Sequence, residues 1–212
     1  MIGAFLTVLE AVEKLLKGID AYLVKPSEKN REDLSKYVTN LENARDNFRL
    51  AINRAEHQLE QGDVEPLKAQ FREYHSPLDQ RLLEIIRWAR QIAQHARLEE
   101  WRRKRMSAEL RASALDIEKR SETLLTLWEK FGIAITNEQP RHIRNFLRYL
   151  CDQCDQLIIR ALQIADDLIG RFPHIFPLVK CTSSDRIPIR GIEDMEDILG
   201  AASLKDHLPR DK

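Results

Sequence analysis

Glycine is scarce in this chain, seven in 212 residues, and no Gly-rich phosphate loop or Gly-x-Ser-x-Gly elbow can be assembled from them. A nucleotide-cradling loop and a hydrolase nucleophile turn are thereby set aside. Cysteine is scarcer: Cys151, Cys154 and Cys181 are three in number, which is odd, and two of them lie three apart. That spacing inside a helix is no disulfide framework, and a reducing, cytoplasmic setting is the expectation. Charge of one sign is not in excess either, since 34 basic side chains balance 34 acidic ones. No global field draws the chain to nucleic acid or to a membrane, so any such attraction must come from a local patch. No apolar run reaches the length of a membrane span. The apolar start, Met1 to Leu9, has no leading positive charge and is followed by Glu10 and Glu13, so it does not read as a signal peptide. Glu-x-x-His is absent, which removes the ligand pattern of a di-iron bundle, and no cofactor is expected.

What is present is charge, 32% of the residues, laid over apolar positions at four-three spacing. That pattern predicts an all-α fold: a bundle of four to five long antiparallel helices with coiled-coil-like heptad packing over residues 1–170. A Pro-interrupted C-terminal tail, 171–212, follows, with a short amphipathic helix near 191–207.

A first helix is expected from about Ile2 to Val24, with Phe5, Leu9, Val12, Leu16, Ile19 and Leu23 on its seam and Glu13, Lys17 and Asp20 among its polar remainder. So wide an apolar face must be buried. Lys25-Pro-Ser27 ends it, and a second helix runs from about Asn30 to Gln61, closed by Gly62. A helical turn or two is expected in 64–75. Ser76-Pro77 then reads as a cap and first turn. From there no Gly or Pro occurs until Gly132, which favours one continuous helix of roughly 80 Å. The alternative is a break near Arg105-Met-Ser107, giving two matched helices that fold back on each other. After a connection at Gly132, the last long helix starts near Asn137 or Glu138 and ends at Gly170, with Ile143, Leu147, Leu150, Cys154, Leu157, Ala161, Ile164 and Leu168 as its stripe. The first helix and the long central one offer more apolar length than a monomer covers, so an apolar surface is expected to remain for a partner.

Several constellations carry chemistry. Cys151-Asp-Gln-Cys154 has the spacing of half a zinc site, but no second close pair exists; both cysteines read as small core side chains, and no metal is expected. Arg90-Gln-Ile-Ala-Gln-His95 resembles the arginine, four residues, histidine motif of HEPN-type ribonucleases, which are all-helical and often dimeric. The resemblance covers six residues and departs at Gln91, where the family often has Asn. It implies a metal-independent ribonuclease with Arg90 and His95 lining a cleft at a dimer interface.

The basic cluster Arg97, Arg102, Arg103, Lys104, Arg105 and Arg111, with Trp101 among it, is the candidate nucleic-acid surface. From Arg81 to Arg111 nine basic residues face four acidic ones, enough for salt-sensitive phosphate contacts. Pairing with Glu99, Glu100 and Glu109 would instead make it a solvated face. Arg141, His142, Arg144 and Arg148 form a second basic face. In the tail, Ile192, Met195, Ile198 and Leu199 could share one side of a short helix, the pattern of a partner-docking motif or of a helix packing on its own bundle. The functional expectation is a non-enzymatic scaffold or adaptor subunit that binds a protein partner or self-associates as a homo-oligomer. The alternatives are a nucleic-acid-binding accessory protein using 97–111 and the ribonuclease.

Overall fold

The computed structural model describes residues 1–99, 106–137 and 140–169. These form five helices and no strand: α1 (Ile2–Val24), α2 (Glu28–Glu60), α3 (Glu65–Glu99), α4 (Met106–Thr136) and α5 (Pro140–Ile169). The fold is therefore an all-α bundle. All five helices belong to one compact unit, Met1–Pro173; the second unit, His174–Lys212, lies outside the described residues.

Each helix packs on its neighbours to close the ring α1, α2, α5, α4, α3, and α1 also reaches across to α5. Directions follow from the contacts. Phe5 stacks on Phe48 at 5.4 Å, while Gly18 lies against Tyr37, so α1 and α2 are antiparallel. Ile2 meets Gln70 and Glu13 meets Arg81, so α1 and α3 run parallel side by side. Arg90 meets Glu118 and His75 meets Trp128, which makes α3 and α4 an antiparallel hairpin.

The long central helix expected over 77–131 is corrected by this hairpin. α3 ends at Glu99 and α4 begins at Met106, close to the break considered as the alternative. Folding back lets Leu82, Ile85, Ala89 and Ile92 of one half share a core with Ile117, Leu124 and Leu127 of the other. Burying each such side chain is worth about 1.5–3 kcal/mol. A straight helix would leave one half of that surface in water.

Two further expectations move. The helix does not start at Ser76: residues 64–75 do not form a separate element, because α3 begins at Glu65 and carries Pro77 in its interior. Leu67 is buried and Phe71 packs against Trp128 with ring centroids 4.7 Å apart, so packing holds this stretch helical although Pro77 donates no hydrogen bond to the turn before it. Nor is Gly132 a connection; α4 continues through it to Thr136. A Cβ there would collide with the Phe71 ring, whose Cε1 would stand 2.9 Å away. Glycine thus serves close approach.

Helix ends follow local chemistry. Ser27, in extended conformation, accepts from the Asn30 N–H at 3.2 Å and caps α2. The Asn30 side chain donates to the Lys25 carbonyl at 2.8 Å, fastening the end of α1. Gly62 takes φ +79° just past α2, the left-handed position that favours glycine. Gln70 Oε1 accepts from the Ile2 N–H at 3.0 Å, so α3 supplies a cap for α1.

Most of the wide face of α1 is consumed: Ile2, Phe5, Val8, Leu9, Val12, Leu15, Leu16 and Ile19 are buried within the bundle, and Leu23 is half-buried. The expected surplus of apolar surface is not found among the described residues, where the large exposed apolar side chains are Val24, Leu50, Leu83, Leu115 and Ile133, spread over all helices but α5.

Candidate functional site

The polar side chains of α3 sort onto two flanks. Towards α1, Arg81 Nη1 donates to Glu13 Oε2 at 2.8 Å, Gln91 Nε2 to Asp20 Oδ2 at 3.0 Å, and His95 Nδ1 lies 2.7 Å from Asp20 Oδ1. Glu13 and Asp20 are seven residues apart, two helical turns, and so meet α3 on one line. Both are buried, which corrects their assignment to the polar remainder of α1. Towards α4, Arg90 Nε donates to Glu118 Oε1 at 2.6 Å and Nη2 to Glu122 Oε1 at 3.0 Å. The Glu118 carboxylate, helped by Glu122, pushes the Arg90 guanidinium further above its usual range, so it is a fixed positive charge and no proton donor.

Arg90 and His95 therefore do line one open groove, together with Leu83, Arg87, Gln91 and Gln94. Their bonds nevertheless run to opposite neighbours, as five residues at about 100° each require. Within ion-pair distance of Arg87, Arg90 and His95 stand four carboxylates, Glu84, Glu118, Glu122 and Asp20. Two guanidinium groups and one imidazole do not outweigh them, and the groove has no excess positive charge with which to collect a polyanion.

Two residues of the second basic face, Arg144 and Arg148, are paired in a similar way. Arg148 Nε donates to Glu56 Oε1 at 2.7 Å and Arg144 Nη2 stands 3.9 Å from Glu60 Oε1, so both tie α5 to α2. Asp155, also on α5, takes Arg45 Nε at 2.9 Å and Arg49 Nη2 at 2.5 Å from α2, and Arg31 donates to the carbonyl of Ile169 at 2.9 Å near the end of α5. Cys154 lies buried beside this seam, and burial pushes its thiol well above the usual range, which makes it a poor nucleophile. Among the described residues no group of three or more His, Cys, Asp or Glu is placed to hold a metal.

The main nucleic-acid candidates lie elsewhere. Trp101, Arg102, Arg103, Lys104 and Arg105 fall outside the described residues, as does the side chain of Arg97; Arg111 is half-buried on α4. The ends of α3 and α4 fix the place of this run in the chain: six residues, 100–105, join two antiparallel helices, and four in succession are basic. The docking candidates Ile192, Met195, Ile198 and Leu199 also lie outside the described residues.

One cluster escaped sequence reasoning altogether. His75, Phe71, Glu129, Gly132 and Ile133 line a second open groove between α3 and α4, with Asp79 and Trp128 against His75. The residues are 53 apart in sequence for the His75–Trp128 bond. Only the fold-back of the hairpin brings them together, and no local spacing signals it.

No family model matches the chain, and no curated protein or solved structure shows significant similarity to it.

Proposed function

We propose that the chain is a non-enzymatic interaction protein, a helical scaffold or adaptor subunit whose bundle holds its recognition segments in place. The observation that supports this is the employment of its polar groups. Arg90, Arg148 and Asp155, among the side chains best suited to chemistry, are each committed to a bridge between helices, and His95 and Arg144 stand within 4 Å of a carboxylate on a neighbouring helix. The five described helices close a ring among themselves, and the tail, 171–212, is the segment this reading assigns to recognition. The test is quantitative cross-linking of the full chain in its native cell extract, compared with a chain ending at Pro173 and with Arg102→Glu, Arg103→Glu, Arg105→Glu combined. A defined protein partner held by the full chain at constant stoichiometry and lost in one variant supports the proposal. Identical recoveries from all three sink it.

A second function draws on the hairpin: a basic run at the junction of two helices is better placed to follow a phosphate backbone than one along a packed helix wall. Under this alternative the full chain binds single-stranded RNA or duplex DNA in fluorescence anisotropy. Neutralising about four phosphates gives a logarithmic salt slope of about −3 to −4, and the triple charge reversal abolishes it. The ribonuclease gains no support from the groove. Arg90→Ala with His95→Ala is expected to lower stability, and a loss of RNA cleavage at unchanged stability would revive that function.

A further inference from the structure

His75 presents a single ring nitrogen to two neighbours that want opposite things of it. The indole Nε1–H of Trp128, on α4, donates to His75 Nδ1 at 3.3 Å, which requires that nitrogen to be bare. Asp79 Oδ2, one turn along α3, lies 3.1 Å from the same Nδ1, a contact that becomes favourable when the nitrogen carries a proton. One nitrogen cannot serve both. With Nδ1 bare, Trp128 is satisfied and Asp79 faces a lone pair; with Nδ1 protonated, Asp79 has its ion pair and the indole loses its acceptor.

The surroundings make the choice consequential. Trp128 is fully buried, and its ring touches Phe5 of α1, Phe71 of α3 and Phe131 of its own helix. Protons reach His75, whose side chain is 44% exposed along the groove. α4 adds one carboxylate there, Glu129, and α1 faces the indole with Phe5, which has no charge. Asp79 Oδ1 is buried with no hydrogen-bond partner, so the carboxylate has a standing need for a proton or a cation. Burial pushes the Asp79 carboxyl up, the His75 charge draws it back, and Glu129 pushes it up again.

We propose that His75 is a proton-operated latch on the core: protonation at Nδ1 transfers it from Trp128 to Asp79 and loosens the α3–α4 packing around the indole. The device is independent of which partner the protein binds.

The experiment is a pH titration of the full chain by nitrogen-15 NMR, with the Trp128 indole signal assigned by Trp128→Phe. Long-range couplings report which nitrogen of His75 is protonated. The expected result is a bare Nδ1 at the alkaline end. On acidification the Trp128 indole proton should move upfield along the same curve as His75, and its exchange with solvent should quicken about tenfold as it loses a buried partner. Asp79→Asn should leave the alkaline state intact and move the response to lower pH, because the carboxylate that receives the proton is gone. A proton on Nδ1 at every pH, an indole signal indifferent to His75, or an unchanged response in Asp79→Asn would each overturn the proposal. His75→Asn, whose carbonyl can still accept from the indole, should abolish the pH response; where that variant does not fold, Asp79→Asn decides alone.

Discussion

Asp155 is a single carboxylate between two arginines, Arg45 and Arg49, with only 10% of its side chain exposed. Desolvating three charges is costly, and the cost is offset only while all three remain together. Asp155→Ala leaves two partly buried guanidinium groups facing each other, and a loss of about 3–5 kcal/mol in urea unfolding is expected. Glu13 is the pH-dependent counterpart. Burial alone would raise its carboxyl, but hydrogen bonds and charge from Lys17 and Arg81 outweigh burial and hold it below the ordinary carboxylate range. A folded-state value below the unfolded one means the contribution is complete above the unfolded value and is lost as pH falls through the folded one. Glu13→Gln should therefore be less stable than the parent at neutral pH. The gap between the two denaturation midpoints should close as pH falls from about 5 towards about 2; a gap constant across that range would refute the assignment. Only the Glu13–Lys17 pair, one turn apart, was visible from α1 by itself. Glu13 and Asp20 sit at positions that periodicity assigns to the polar side, and their partners on α3 are 68 and 71 or more residues away.

At the scale of elements, α1, α2 and α5 were legible because their ends carry local signals: Ser27 as a cap, Gly62 at positive φ, and Pro140 at the first position of α5. The hairpin was legible only as the alternative to one continuous helix. Between Arg97 and Glu109 there is no Gly, Pro, Asn or Asp to mark a turn, and what breaks the helix is the gain from packing its two halves together. Pro77 and Gly132 misled in the opposite sense, since each usually punctuates a helix and here lies inside one. The proximity of Gly132 to Phe71 gives a direct test. Alanine gains about 1 kcal/mol of helix propensity over glycine, but its Cβ must displace a ring wedged against Trp128 and Phe131. Overpacking of this kind costs about 1–3 kcal/mol. Gly132→Ala should lower Tm by about 3 °C; a rise in Tm would mean that the ring swings aside freely.

For the whole molecule, α1–α5 pack in a closed ring, and a chain ending at Pro173 is expected to keep the helical circular dichroism of these helices and to unfold in one cooperative step. Loss of cooperativity on removing 174–212 would show that the tail completes the core. The parallel seating of α1 on α3 also bears on how the chain is made. α1 leaves the ribosome before the other four helices, with eight large apolar side chains to bury, Ile2, Phe5, Val8, Leu9, Val12, Leu15, Leu16 and Ile19. α2 can cover part of that face, but α3 must be finished, through Glu99, before the remainder has its nearest cover, and α5 comes last. At translation rates of 5–20 residues per second, the interval between the end of α1 and the end of α3 is roughly 4–15 s. During that interval α1 carries apolar surface without its full cover, and synthesis that stalls between Gly62 and Glu99 would leave a sticky helix pair.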